Sequence, residues 1–211
     1  MENLKRDFDK VAATWDEEPR RLRLASEVAG CIAETMPLTS DIDVLDFGCG
    51  TGLLTLKLQP LVRTITGVDN SQGMLDMLDS KTERLHVENV KTFKWDLDKD
   101  DMLEGRFHLV TSCMAFHHVK DVLKLLSTIH KVLHPSGHIA IADLDLDDGK
   151  FHEDHTGVFH SGFDRGILQK LFIESGFGDL SCRTATSVFK PTTDGGSREF
   201  TIFLMTGRKN G

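Results

Sequence analysis

Three glycines within five residues, Gly48-Cys49-Gly50-Thr51-Gly52, follow directly on the apolar run Ile42-Asp43-Val44-Leu45-Asp46-Phe47. Such a run is read as a buried strand, and the glycines as a sharp turn at its end. With no Cβ on those residues, the backbone can turn and approach whatever lies above it. A helix is expected next, starting near Thr51, carried by Leu53, Leu54, Leu56 and Leu58 and ended by Pro60. Strand, glycine turn, helix is the opening unit of an open α/β sheet, in which ligands bind outside the carboxyl ends of the strands.

The rest of the chain continues the alternation. Strands are expected at Thr64–Asp69, Val90–Trp95, Phe107–Ser112 and His138–Asp143. Helices are expected from Ser71 to about Ser80, with Met74, Leu75 and Leu78 on one face, and from Val119 to Leu133, broken at Pro135-Ser136-Gly137. This order implies right-handed crossovers and a mostly parallel sheet covered on both faces. Residues 1–36 read as a helical cap, with Leu22, Ala25, Val28, Ala29 and Ile32 at helical spacing and Pro37 closing it. Residues 144–163 are polar and rich in Asp, His and Gly, and read as a lid-like loop. A helix at about Asp164–Ser175 and two strands near Ser181–Phe189 and Glu199–Thr206 finish the chain, the last two as an antiparallel hairpin turning at Lys190–Ser197. At 211 residues one domain is expected, of doubly wound, Rossmann-like α/β class.

Composition removes several functions. The net charge is −8 and no basic stripe is found, so nucleic acid is not expected as a partner and a small molecule is. No apolar run approaches the roughly 18 residues that span a bilayer, and the N-terminus is too charged for a signal peptide, so a cytoplasmic protein is expected. Cys31, Cys49, Cys113 and Cys182 form no Cys-x-x-Cys pair, which argues against a zinc knuckle or a redox dithiol. Oligomeric state is not legible.

The acidic residues around the glycine loop narrow its ligand. The spacing Gly-x-Gly-x-Gly differs from the Gly-x-Gly-x-x-Gly shaped for a pyrophosphate. Asp46 lies just before the loop, where a carboxylate would repel a pyrophosphate but suits a sulfonium amino acid, accepting from its ammonium group. Asp69 ends the second strand and can accept both hydroxyls of a ribose. Asp96 ends the third and can accept from an adenine amino group, with the Leu97 amide beside a ring nitrogen and Met74 against one face.

Val44-Leu45-Asp46-Phe47-Gly48-Cys49-Gly50-Thr51-Gly52 resembles the first motif of class I S-adenosylmethionine-dependent methyltransferases, and Gly67-Val68-Asp69-Asn70-Ser71-Gln72-Gly73-Met74-Leu75 their second. Phe107-His108-Leu109-Val110 and Leu133-His134-Pro135-Ser136-Gly137-His138 resemble later ones. The likeness is strongest over residues 40–145 and is nearest to the small-molecule branch that includes ubiquinone and menaquinone biosynthesis enzymes. It implies a seven-stranded sheet whose last strand is antiparallel. It also implies cofactor roles for Gly48, Gly50, Asp69, Met74, Asp96 and Leu97, and backbone contacts at Ser112 and Cys113. Asn70 stands where many relatives differ. The full candidate set for S-adenosylmethionine is Trp15, Arg21, Asp46, Gly48, Cys49, Gly50, Asp69, Asn70, Met74, Asp96, Leu97, Ser112 and Cys113.

The acceptor side is less marked. His117 and His118 follow the fourth strand and are candidate general bases, or structural histidines at a helix start, one of them capping it. The loop segment Phe151-His152-Glu153-Asp154-His155-Thr156-Gly157-Val158-Phe159-His160 offers His155 and His160 as further catalytic candidates. A metal there is conceivable, but the spacing matches no metal signature and none is expected. Trp15 is a candidate to close the pocket, and Arg21 to pair with the methionine carboxylate or an anionic substrate. The expected activity is methyl transfer to a small molecule, with the O, N, S or C atom open. The alternatives are a non-catalytic S-adenosylmethionine sensor or partner subunit, and a nicotinamide-dependent oxidoreductase.

Overall fold

A computed structural model describes residues 6–99, 103–191 and 196–210. Its elements in chain order are α1 (Pro19–Thr35), β1 (Asp43–Phe47), α2 (Thr55–Leu58), β2 (Thr64–Asp69), α3 (Gln72–Leu85), β3 (Val90–Lys94), β4 (Phe107–Cys113), α4 (Val122–Val132), β5 (Leu133–Leu144), α5 (Arg165–Glu174), β6 (Phe177–Pro191) and β7 (Ser197–Lys209). The strands form one seven-stranded sheet in the order β3-β2-β1-β4-β5-β7-β6. All neighbours up to β5 pair in parallel, and β7 runs antiparallel between β5 and β6. The C-terminal hairpin is therefore added at the sheet edge, joined to β5 through its last strand with β6 outermost.

Successive residues of the central strands point to opposite faces, and both faces are buried. On one side Leu45, Val110, Ile139 and Phe203 pack under α4 and α5. On the other Val44, Leu109, Ala140 and Leu204 pack under α1 and α2. This is why the strands read as continuous apolar runs rather than alternating ones. In α1 the buried face is Leu24, Ala25, Val28, Ala29, Cys31 and Ile32, while Leu22 turns outward.

Side-chain caps set where several helices begin. Ser71, Asp121 and Asp164 accept from the amides of Met74, Lys124 and Ile167 at the starts of α3, α4 and α5, each worth about 1 kcal/mol. Asp121 moves the start of α4 past the histidine pair, so neither His117 nor His118 caps it. The helix expected from Thr51 starts only at Thr55, because Gly52 has φ +83° and cannot be helical. Pro60 does not end α2 abruptly. It sits inside a 3₁₀ turn, Gln59–Leu61, that has no need of its missing amide.

The helical reading of the N-terminus holds for α1, but residues Asp9–Glu17 form a 3₁₀ segment and residues 1–5 lie outside those described. The expected hairpin turn falls partly outside them too. Segment 145–164 is irregular, as expected of a loop, but it is tied down by Leu146 N to Phe163 O at 2.9 Å and Asp147 N to Ser161 O at 2.9 Å. Among the described residues no helix is long and apolar enough to cross a membrane.

Candidate active site

The chain leaves β1 toward β2 on one side of the sheet, and β4 lies on the other, so β1 and β4 flank the point where the strand order reverses. A cavity of about 530 Å³ opens there, at the carboxyl ends of the strands. Its floor is the glycine loop. Gly48, Gly50 and Gly52 all have positive φ, at +67°, +52° and +83°. A Cβ on Gly48 would stand 2.3 Å from the Cβ of Ala115, so this residue must be glycine for the loop to pack against the turn after β4. A Cβ on Gly50 would meet only the Met74 sulfur, at 4.0 Å. The space above Gly50 is therefore open, and it lies within the cavity wall.

Two carboxylates organise this floor. Asp69 accepts the amide of Gly50 through Oδ2 and that of Ser71 through Oδ1, both at 2.9 Å, and so fixes the loop's shape. Burial raises its pKa, against the lowering effect of those amides. Asp46 is fully buried between hydroxyls: Thr55 Oγ1 donates to Oδ2 at 2.6 Å, and Thr111 Oγ1, its register partner on β4, donates to Oδ1 at 3.1 Å. Burial pushes its pKa up to about 6, and the charge of Asp69 adds to this. Two desolvated carboxylates around an open glycine form a pocket that favours a cation carrying hydrogen-bond donors.

The remaining candidates for the cofactor distribute around that floor. Asn70, Met74, Asp96, Leu97 and Cys113 line the cavity, as do Trp15, Arg21 and Cys49. Burial raises the thiol pKa of both Cys49 and Cys113, so both stay protonated. Ser112 is not in the wall. Its Oγ is buried and unpartnered beneath it, because alternate residues of β4 point away from the cavity. Arg21 lies 3.6 Å over the Trp15 ring and donates to the Trp15 carbonyl at 2.8 Å. The segment carrying Trp15 is clasped to the loop and to α3: Thr51 Oγ1 donates to Asp16 at 2.6 Å, Lys81 of α3 pairs with Asp16, and Gly73 N of α3 donates to Asp9 at 2.8 Å.

On the far side, the turn after β4 carries the histidine pair. His117 is 1% exposed and its Nδ1 lies 2.7 Å from Oδ1 of Asp143, at the end of β5. Asp143 also accepts from the Leu144 and His117 amides, and the His117 contacts hold its pKa below the usual value despite burial. The ionised carboxylate accepts, so the ring N–H is on Nδ1. His118 Nδ1 donates to the Gly157 carbonyl at 2.7 Å. His152 packs 4.9 Å from the His117 ring and 5.7 Å from that of His118. Burial, then the neighbouring histidines, pushes the pKa of His118 down to about 4 and that of His152 to about 3.

His155 and His160, expected as catalytic candidates, do not line this cavity. His155 is exposed on the outer side of segment 145–164. His160 turns inward against Phe163 and lies 3.0 Å from the Val119 carbonyl, a packing role. In their place His152 lines the cavity, and Asp143 stands behind His117. Asp143 was visible as a carboxylate closing an apolar strand, the same signal that marked Asp46 and Asp69, but its partner lies 26 residues away. Among the described residues no cluster of His, Cys, Asp and Glu has the geometry to hold a metal.

A doubly wound sheet with a glycine floor flanked by acids at its switch point defines an α/β fold with a ligand cavity at the carboxyl ends of its strands. Residues 44–137 match a family described as a methyltransferase domain. An uncharacterized methyltransferase of Schizosaccharomyces pombe is 33% identical over 148 residues, covering 63% of this chain but only 52% of that protein. A demethylmenaquinone methyltransferase of Staphylococcus epidermidis is 26% identical over 184 residues, covering 74% of this chain and 76% of that one. A Haemonchus contortus phosphoethanolamine N-methyltransferase, solved with S-adenosyl-L-methionine, superposes with a TM-score of 0.70 at 16% identity, over 87% of this chain and 52% of the other. The chain thus spans about half the length of the Schizosaccharomyces relative. Residues 44–137 are thus similar to a methyltransferase domain, and the fold is shared with solved methyltransferases.

Proposed function

We propose that this chain transfers a methyl group from S-adenosylmethionine to a small-molecule acceptor. The observation that carries the reading is the pair of carboxylates, buried Asp46 and half-buried Asp69, that line the cavity over the glycine loop. The donor set fits the cofactor. Asp69 would take the ribose hydroxyls and Asp46 the ammonium group. Met74, Asp96 and Leu97 would border the adenine. Arg21 would pair with the carboxylate and Trp15 would cover it. When bound, the cofactor supplies an electrophilic methyl group, and the chain's residues orient the acceptor, exclude water and receive any proton released.

Turnover of methyl-labelled cofactor with a panel of phenols, enols, thiols and amines tests the reading. Label transfer to at least one acceptor is expected. Tight binding of S-adenosylmethionine with no transfer to any acceptor would favour a sensor or partner subunit instead. Binding of a nicotinamide dinucleotide in place of S-adenosylmethionine would overturn the reading.

A further inference from the structure

His117 Nε2 is buried in the described structure and has no hydrogen-bond partner. His117 nonetheless lines the cavity. A buried polar atom without a partner costs about 1–3 kcal/mol, so a structural histidine would be expected to satisfy both nitrogens. His117 satisfies only Nδ1, and does so with an ionised carboxylate that cannot donate. That fixes the tautomer: in the neutral ring Nε2 carries the lone pair. The Asp143 carboxylate is itself held by the Leu144 amide at 2.7 Å, so the dyad is anchored to β5. What would satisfy Nε2 is a ligand that brings a hydrogen-bond donor.

The surroundings restrict that donor. The groups that face His117 are Asp143 from β5, His118 on its own turn, and His152 from segment 145–164, with Arg6 and Lys190 also lining the cavity. Arg6 and Lys190 add to the depression of the His152 pKa, and Arg6 to that of His118, while Asp143 opposes it at His118 and Glu153 and Asp154 also line the cavity. A thiol, with a pKa of roughly 8.5, ionises appreciably in water and has little need of a base, whereas a phenol at roughly 10 gains most from one.

Building on the methyl-transfer reading, we propose that the acceptor is a hydroxyl compound, a phenol or enol, deprotonated by His117 with Asp143 as the positioning residue. The acceptor O–H bond breaks toward His117 Nε2 as its oxygen forms the new O–CH3 bond. The S–CH3 bond of the cofactor breaks and its electron pair stays on sulfur. The imidazolium is held by Asp143 and passes its proton to solvent as product leaves. Asp143→Asn keeps an oxygen that can accept from the Leu144 amide and from Nδ1, but removes the charge that holds the imidazolium.

Two measurements decide this. Nitrogen-15 NMR of histidine-labelled protein saturated with S-adenosylhomocysteine, with His117 assigned by His117→Gln, should show the proton on Nδ1 in the natural chain, and the acidic limb of turnover should move to lower pH in Asp143→Asn, whose neutral amide no longer holds the imidazolium. A proton on Nε2 in the natural chain overturns the proposal even if the variant fails to fold. With labelled cofactor, phenols or enols should be the acceptors, with turnover lost at least about 100-fold in His117→Gln and S-adenosylhomocysteine affinity changed less than about threefold. Methylation of thiols or amines that survives in His117→Gln overturns it, as does stoichiometric zinc bound through His117, His118 and His152. Failure to bind S-adenosylhomocysteine at all would instead overturn the underlying methyltransferase reading.

Discussion

At the scale of single residues, the site balances buried charge against the donors around it, and Asp46 shows this most clearly. Its folded pKa is about 6 against an ordinary 3.8, because burial outweighs two threonine hydroxyls. A raised carboxyl pKa means that the folded state binds the proton more tightly than the unfolded chain. Ionised Asp46 therefore costs nothing below about pH 3.8 and costs its full amount above about pH 6. A shift of about two units corresponds to roughly 3 kcal/mol. Asp46→Asn should accordingly gain stability relative to the natural chain as pH rises from 4 to 7, by up to that amount, while binding S-adenosylhomocysteine more weakly. Urea unfolding of both proteins at the two pH values measures it. A stability difference that does not change with pH would show that Asp46 is not desolvated.

Residue identities at strand ends were the most legible part of the site. Asp46, Asp69 and Asp96 could be picked out because a carboxylate that closes an apolar strand has no packing reason to be there. His155 and His160 were misplaced for the opposite reason. In a polar loop every histidine looks equally available, and only the path of the chain decides that His152 faces the cavity while His160 packs on Phe163.

At the scale of elements, segment 145–164 is held by the histidine turn it covers. The amides of Phe159 and His160 donate to the His117 carbonyl at 3.0 and 3.2 Å, and His118 Nδ1 donates to Gly157. Gly157 has φ +70°, and a Cβ there would come 2.5 Å from the Arg6 amide nitrogen, so the N-terminal strand of chain, the segment and the turn meet at one residue. His118 and His152 are half-buried with pKa values depressed to about 4 and 3, so the docked form takes their protons less readily than the open one. Docking is fully favoured above the ordinary histidine value of 6.5 and weakens as pH falls toward 4. Hydrogen exchange, corrected for its intrinsic pH dependence, should show Phe159 and His160 losing protection between about pH 6 and 4 ahead of the amides of β4. Equal loss in both places would mean that the segment does not open separately. The segment's irregularity was readable from its Asp, His and Gly content, but its anchoring was not, since the anchors lie about 40 residues back. The short α2 was likewise misjudged, because the leucine spacing promised a helix that the left-handed Gly52 delays.

At the scale of the molecule, the apolar runs and their spacing made the doubly wound sheet readable, since a parallel sheet covered on both faces needs strands that are buried throughout. The placement of β7 between β5 and β6 was not readable, because an antiparallel hairpin can join a sheet by either strand. The same topology produces the site: the reversal of strand order at β1 and β4 opens the cavity, and the glycine loop gives it a floor that the backbone can reach. The central claim is that this cavity holds S-adenosylmethionine, with Asp69 as a ribose acceptor. Calorimetric titration of S-adenosylhomocysteine into the natural chain and into Asp69→Ala, with melting curves to verify that both are folded, tests it directly. One-to-one binding that weakens at least about tenfold in the variant, the loss of about 1.4 kcal/mol, is the expected result. No binding to the natural chain, or equal affinity in a folded Asp69→Ala, would contradict it.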